Sequence, residues 1–238
     1  MKIETKREYE QFLQTLHELS SGEDFVAFQS KIINTKKQII GVRTPQIRQL
    51  AKEIFKSEHS GLFKFGNNDI FEEVLVKGLV AGMHKDVNFA LEKISQLLNA
   101  FDSWAETDMI CARFAFFKGN EERLFEYFSE LVKCEKEFVC RFGVVCLMKY
   151  FLDENNVLRT FNALDCIICE KYYVNMAVSW LICEALTKNP QNAVENMQKI
   201  IKNHHFNSNI INKAIQKCCE SFRFSDEIKN NLKELKIK

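Results

Sequence analysis

Proline and glycine are scarce in this chain, two and eight among 238 residues. So few turn formers cannot punctuate a many-stranded β fold, and helix is the expected state. Charge of one sign is also missing. Thirty-three Lys and Arg stand against 32 Asp and Glu, a net charge of +1. Composition therefore announces no nucleic-acid binder, and any polyanion site must be a local basic patch. No apolar run reaches about 18 residues, so no membrane span is expected. The opening MKIETKREYEQF has no apolar core of a signal peptide. Without an export signal, the nine Cys are expected as reduced thiols in a cytoplasmic protein. GxGxxG, Walker, HExxH and GxSxG signatures do not occur.

What the chain does have is helical periodicity almost throughout. Thr5 to Leu19 carries Tyr9, Phe12, Leu13 and Leu16 on one face. Thr44-Pro45 reads as an N-cap and first helical residue, opening PQIRQLAKEIFK. Asp69, Asp86, Asp102 and Asn120 read as further helix starts. Helices continue near 135–151, 154–168, 171–188, 190–203, 208–221 and 225–236. That makes about twelve helices with short polar breaks, spaced as pairs every 35–40 residues or so, the signature of HEAT-like repeats. The expected fold is all-α: one domain over 1–238, an α-solenoid of about six antiparallel helix pairs. A globular bundle is the rival. FQSKIINTKKQIIGVRTP is the exception, interrupted at Asn34-Thr35 and basic through Lys31, Lys36, Lys37 and Arg43. It reads as a loop, or a short helix followed by a loop.

Four residues are candidates for chemistry. On a helix over 102–117, at about 100° per residue, Trp104, Asp108, Cys111 and Ala115 share a face. A carboxylate there is costly unless a cation or donor meets it. The plainer reading packs Trp104 in the core and gives Asp108 a capping or bridging role. Near 171–188, Tyr173, Ala177, Trp180 and Glu184 share a face, so both Trp of the chain have an acid four residues later. Coincidence, with Trp180 packing between helices, is the alternative. Arg141 sits at the margin of the stripe Phe138, Phe142 and Val145. It suits a salt bridge or a phosphate. Cys166-x-x-Cys169, Cys218-Cys219 and His204-His205 lack a second correctly spaced pair on a turn, so no metal site is expected.

With GVRTPQIRQLAKEI (41–54) and YYVNMAVSWLICEALTKNP (172–190), the set Trp104, Asp108, Arg141 and Trp180 resembles the bacterial DNA alkylation repair family, the HEAT-like alkylpurine DNA glycosylases. The resemblance covers nearly the whole chain. It implies a C-shaped solenoid whose concave groove holds duplex DNA. It implies hydrolysis of the N-glycosidic bond of cationic N3- or N7-alkylated purines, without a base-flipping pocket, cofactor or metal, by a monomer. Asp108, Trp104 and Trp180 would serve catalysis, and Arg141, Lys31, Lys36, Lys37 and Arg43 would bind phosphates. Two departures stand out. The Tyr and second Arg that contact DNA in active members align near Phe28 and Cys183, and Asn34-Thr35 interrupts the N-terminal DNA-engaging segment. A catalytically inactive DNA-structure binder or protein scaffold of the same fold is therefore the alternative function.

Overall fold

The computed structural model describes residues 1–112 and 114–237. Among them there is no strand, only the isolated bridges Ser20–Val42 and Gln38–Ile70. The first helices are α1 (Lys6–Glu18), α2 (Glu23–Ile33), α3 (Thr44–Phe55), α4 (Ser60–Lys64), α5 (Phe71–Met83), α6 (Val87–Leu98) and α7 (Trp104–Ile110). After them come α8 (Glu121–Leu131), α9 (Glu137–Tyr150), α10 (Val157–Leu164), α11 (Tyr172–Thr187), α12 (Ala193–Asn203), α13 (Ser208–Glu220) and α14 (Asp226–Glu234). The all-helical expectation is met. Packing is between near neighbours in the chain, as an α-solenoid requires.

The chain forms two compact units, Met1–Glu121 and Glu122–Lys238. In the first, α5 is the central helix and packs on α3, α6 and α7. Its sequence FEEVLVKGLVAGM is buried nearly all round, charges included. Gly78 makes one of these contacts possible: a Cβ there would lie 2.3 Å from Ile110 Cδ1. A mid-helix glycine costs about 1 kcal/mol in helix propensity, here traded for close approach of α7. In the second unit, α9 is the buried helix and packs on α11, which packs in turn on α13.

Capping chemistry sets several boundaries. Thr5 and Glu8 form a capping box on α1, and Asp86 accepts from the Asn88 and Phe89 amides to open α6. Other expected starts shift by one or two residues. Arg43, not Thr44, is the N-cap of α3. Ile70, not Asp69, precedes α5, because the Asp69 carbonyl accepts from the Gln38 amide at 2.9 Å. Ser103 caps α7 in a box with Glu106, which leaves the Asp102 side chain for other partners. One helix lies outside the expected set, α4, only five residues long, whereas α2 and the loop after it meet the second reading of the basic segment, a short helix followed by a loop.

One expectation fails outright. The helix read over 102–117 stops at Ile110, and Cys111 is its C-cap. Phe114 and Phe116 are both buried, with rings stacked at 4.8 Å, and the Ala115 amide donates to the Gly82 carbonyl at 2.8 Å. The segment beyond α7 runs through turns, with the Phe117 amide bonded to the Phe114 carbonyl, and does not continue the helix. Ala115 is therefore not on the face of Trp104 and Asp108.

Candidate nucleic-acid interface

The basic segment is a short helix followed by a loop. α2 ends at Asn34, which takes the left-handed conformation at φ 52°. The loop beyond it is fastened to the start of α7 through Asp102. That carboxylate accepts from Thr35 Oγ1 at 2.5 Å, the Lys36 amide at 2.9 Å and Lys37 Nζ at 2.8 Å. Lys37 Nζ also pairs with Glu106 at 2.9 Å and donates to the Ala100 carbonyl. Burial pushes the Asp102 carboxyl up, but the bonds from Lys37, Thr35 and Lys36 outweigh it and leave it below its usual range. Burial raises the deeper Glu106, with Lys37 offsetting only part. Lys37, expected to bind a phosphate, is corrected by this geometry: its side chain is 7 % exposed and spent on internal partners.

That clip delivers Trp104 and Asp108. The Trp104 indole N–H donates to the Ile32 carbonyl at 3.1 Å, which fixes the ring against the end of α2. Asp108 follows one turn later, half-buried, with the Thr107 hydroxyl donating to it at 2.9 Å. Both line a hollow of about 450 Å³, together with Phe25, Phe28, Gln29 and Arg48. Phe28 is exposed, and the Arg43 guanidinium stands 4.5 Å from the centre of the Phe25 ring. Lys31, Lys36, Arg43 and Arg48 are exposed.

The GVRTP stretch is held from below by a carboxylate that sequence reasoning missed. Glu72, fully buried in the first turn of α5, accepts from the backbone amides of Ile40, Gly41 and Val42 at 3.0, 2.8 and 3.2 Å. Gly41 is required here. Its φ is 88°, and a Cβ would meet Val26 Cγ2 at 2.7 Å. The motif thus sets the entry of α3, and with it Arg43 and Arg48. The available signal was a Glu pair at a helix start followed by a long apolar run.

In the second unit, Arg141 lies on the buried side of α9 at 5 % exposure, and its Nη1 donates to the Tyr173 carbonyl at 2.7 Å. Glu137, one turn earlier, accepts from the Tyr173 amide at 2.8 Å, so α9 grips the first turn of α11 from both polarities. Trp180 is half-buried on α11, and its indole N–H donates to Glu184 at 3.2 Å. Arg223, in the turn before α14, binds the same carboxylate at 2.6 and 2.9 Å. Those Arg223 bonds hold Glu184 below its usual range. The Trp–acid spacing therefore has two outcomes. On α11 the acid is tied to its own Trp, while on α7 the acid is bonded by Thr107 and the Trp is bonded elsewhere.

All nine Cys are free thiols. Cys166 and Cys169 fall after α10, not within a helix. His204 pairs with Asp165 at 2.8 Å. Among the described residues no group of three His, Cys, Asp or Glu is placed to hold a metal ion. No helix among them is long and apolar enough to cross a membrane.

Helices packing on chain neighbours define an all-helical protein compatible with an α-solenoid. The chain belongs to the DNA alkylation repair enzyme family, whose model matches residues 12–218. That span enters both compact units. No curated protein matches the chain. Membership places it in DNA repair and implies interaction with DNA.

Proposed function

We propose that the protein is a DNA glycosylase that hydrolyses the N-glycosidic bond of N3- or N7-alkylated purines in duplex DNA, acting as a monomer with no metal or cofactor. The observation that carries this reading is Asp108, a half-buried carboxylate beside an indole in a hollow open to a ligand. An alkylated purine is already cationic. When its bond to C1′ breaks, the electron pair goes to the base nitrogen, the base leaves neutral and the positive charge passes to the sugar. No general acid is needed. Asp108 stabilises the oxocarbenium ion and orients the water that attacks C1′. Trp104 offers its π face to the same charge.

Lys31, Lys36, Arg43 and Arg48 bind phosphates. In the second unit Arg141, expected to hold a phosphate, is 5 % exposed and donates to the Tyr173 carbonyl, so it leaves the phosphate-binding set, while Trp180 remains a candidate catalytic residue of that unit. The test is release of 7-methylguanine or 3-methyladenine from methylated duplex DNA by purified protein. Release above the spontaneous rate supports the proposal, and none overturns it. A second reading has its own support in Cys183, which is buried where the resemblance implies an Arg in active members. By that reading the protein binds DNA structure or a protein partner without cleaving.

A further inference from the structure

Two thiols of the second unit meet at the position where the resemblance implies an Arg. Cys183 on α11 and Cys218 on α13 are both buried, on helices packed against each other. Ser179, one turn before Cys183, fastens the same helix pair: its hydroxyl donates to the Ile210 carbonyl at 3.0 Å. The Cys218 thiol donates to Cys183. Cys219 is bonded elsewhere, through its Sγ to the Lys229 carbonyl at 3.6 Å. Of the pair, Cys183 is the one that lines a surface hollow, about 410 Å³ in volume, with Trp180, Glu184, Lys217 and Arg223.

These surroundings favour a thiolate at Cys183. The bond from Cys218 draws its pKa below the ordinary thiol value, and Arg223 and Lys217 add positive charge, against burial and the Glu184 carboxylate. The same bond, then burial and the neighbouring thiols, raise Cys218, which Arg223 only partly offsets. One sulfur is the nucleophile, and the other keeps its proton. We infer that Cys183 and Cys218 form an oxidation site, which hydrogen peroxide converts to a disulfide tying α11 to α13. The Cys183 thiolate attacks the peroxide. An S–O bond forms, the O–O bond breaks, and the released hydroxide takes the proton that Cys183 had shed and leaves as water. Cys218 then attacks the sulfenic sulfur. The S–S bond forms, the S–O bond breaks, and the hydroxyl leaves as a second water with the Cys218 proton. Two thiols lose two electrons, and one peroxide is reduced to two waters. The sulfurs close from hydrogen-bond contact to about 2.0 Å. The disulfide lies one turn from Trp180, and the site is independent of the glycosylase reading.

The test is peptide mapping of the full chain after brief exposure to hydrogen peroxide near neutral pH, with the remaining thiols alkylated. The expected first product is a Cys183–Cys218 cross-link, formed about tenfold faster than the exposed Cys166 is oxidised, and reversed by dithiothreitol. In a Trp104→Phe background Trp180 is the sole indole, and its emission should fall and recover in step with the cross-link. Cys218→Ser should instead carry Cys183 on to the sulfinic and sulfonic acids, which dithiothreitol does not reverse. Cys183→Ser should leave Cys218 a free thiol. The wild-type map decides alone if either variant fails to fold. Oxidation of Cys166 while Cys183 and Cys218 are still free thiols, or a first disulfide of any other pairing, overturns the inference.

Discussion

Asp108 and Lys37 are two charged residues of one small region with opposite uses. Asp108 is half-buried, accepts from the Thr107 hydroxyl and lines the hollow. Asp108→Asn keeps the shape and removes the charge that matters where positive charge develops in the transition state. Base release should fall by about 10²–10³ or more, with DNA affinity and melting temperature nearly intact. A single-turnover assay beside a melt checks both. Lys37 is the reverse case. Its ammonium compensates Asp102 and Glu106 in a buried setting. Lys37→Met should destabilise the protein by about 3–5 kcal/mol, because it strands a buried carboxylate. Denaturant unfolding reads that loss. Retained wild-type stability would return Lys37 to the phosphate-binding set.

At the scale of elements, one junction in the first unit is sensitive to pH. His84 caps the C-terminal end of α5, and its Nε2 lies 2.9 Å from Nε2 of His59, just before α4. Phe55 and Phe89 pack on the pair, Asp86 is the nearby acid, and His59 Nδ1 bonds the Ser57 carbonyl. Burial first, and His59 second, lower the His84 pKa. A depressed histidine pKa means that the unfolded chain takes up the proton first. Its contribution to stability is complete above the unfolded value of about 6.5 and is lost as pH falls through the folded value. The melting temperature should therefore drop on going from about pH 7 to pH 5, and His84→Phe should flatten that dependence. Glu72 joins α5 to the GVR loop with no such partner group. Glu72→Leu strands three buried amides at a cost of about 3 kcal/mol or more, and should loosen the loop enough to speed its amide hydrogen exchange.

For the whole molecule, a net charge of +1 leaves DNA binding to local cations. If the four exposed residues Lys31, Lys36, Arg43 and Arg48 bind phosphates as proposed, about four counterions should be released and the slope of log K against log salt should be about −3.5. Lys36→Ala should lower the slope by about 1, whereas Lys37→Met should leave it unchanged among molecules that remain folded. Affinity that does not change with salt would move the weight to the protein-scaffold alternative.

Helix content was legible in the sequence because apolar spacing and caps such as Thr5 and Asp86 act over one or two turns. Membership of the family was legible too, because Trp104, Asp108, Arg141, Trp180 and GVRTP are a pattern in the letters. What those residues touch was not. α7 ends at Ile110, and the segment after it turns to bond α5 through the Ala115 amide and the Gly82 carbonyl, a contact between residues some thirty apart in the chain. Lys37 and Arg43 look alike as basic loop residues, yet one is internal and the other stands over Phe25. Glu72 reads as one more helix-start acid until the Gly41 turn is laid over it. Local rules determine which residues are helical. Only tertiary packing decides which charges are spent inside and which remain for a ligand, because desolvation and pairing depend on what the rest of the chain brings alongside.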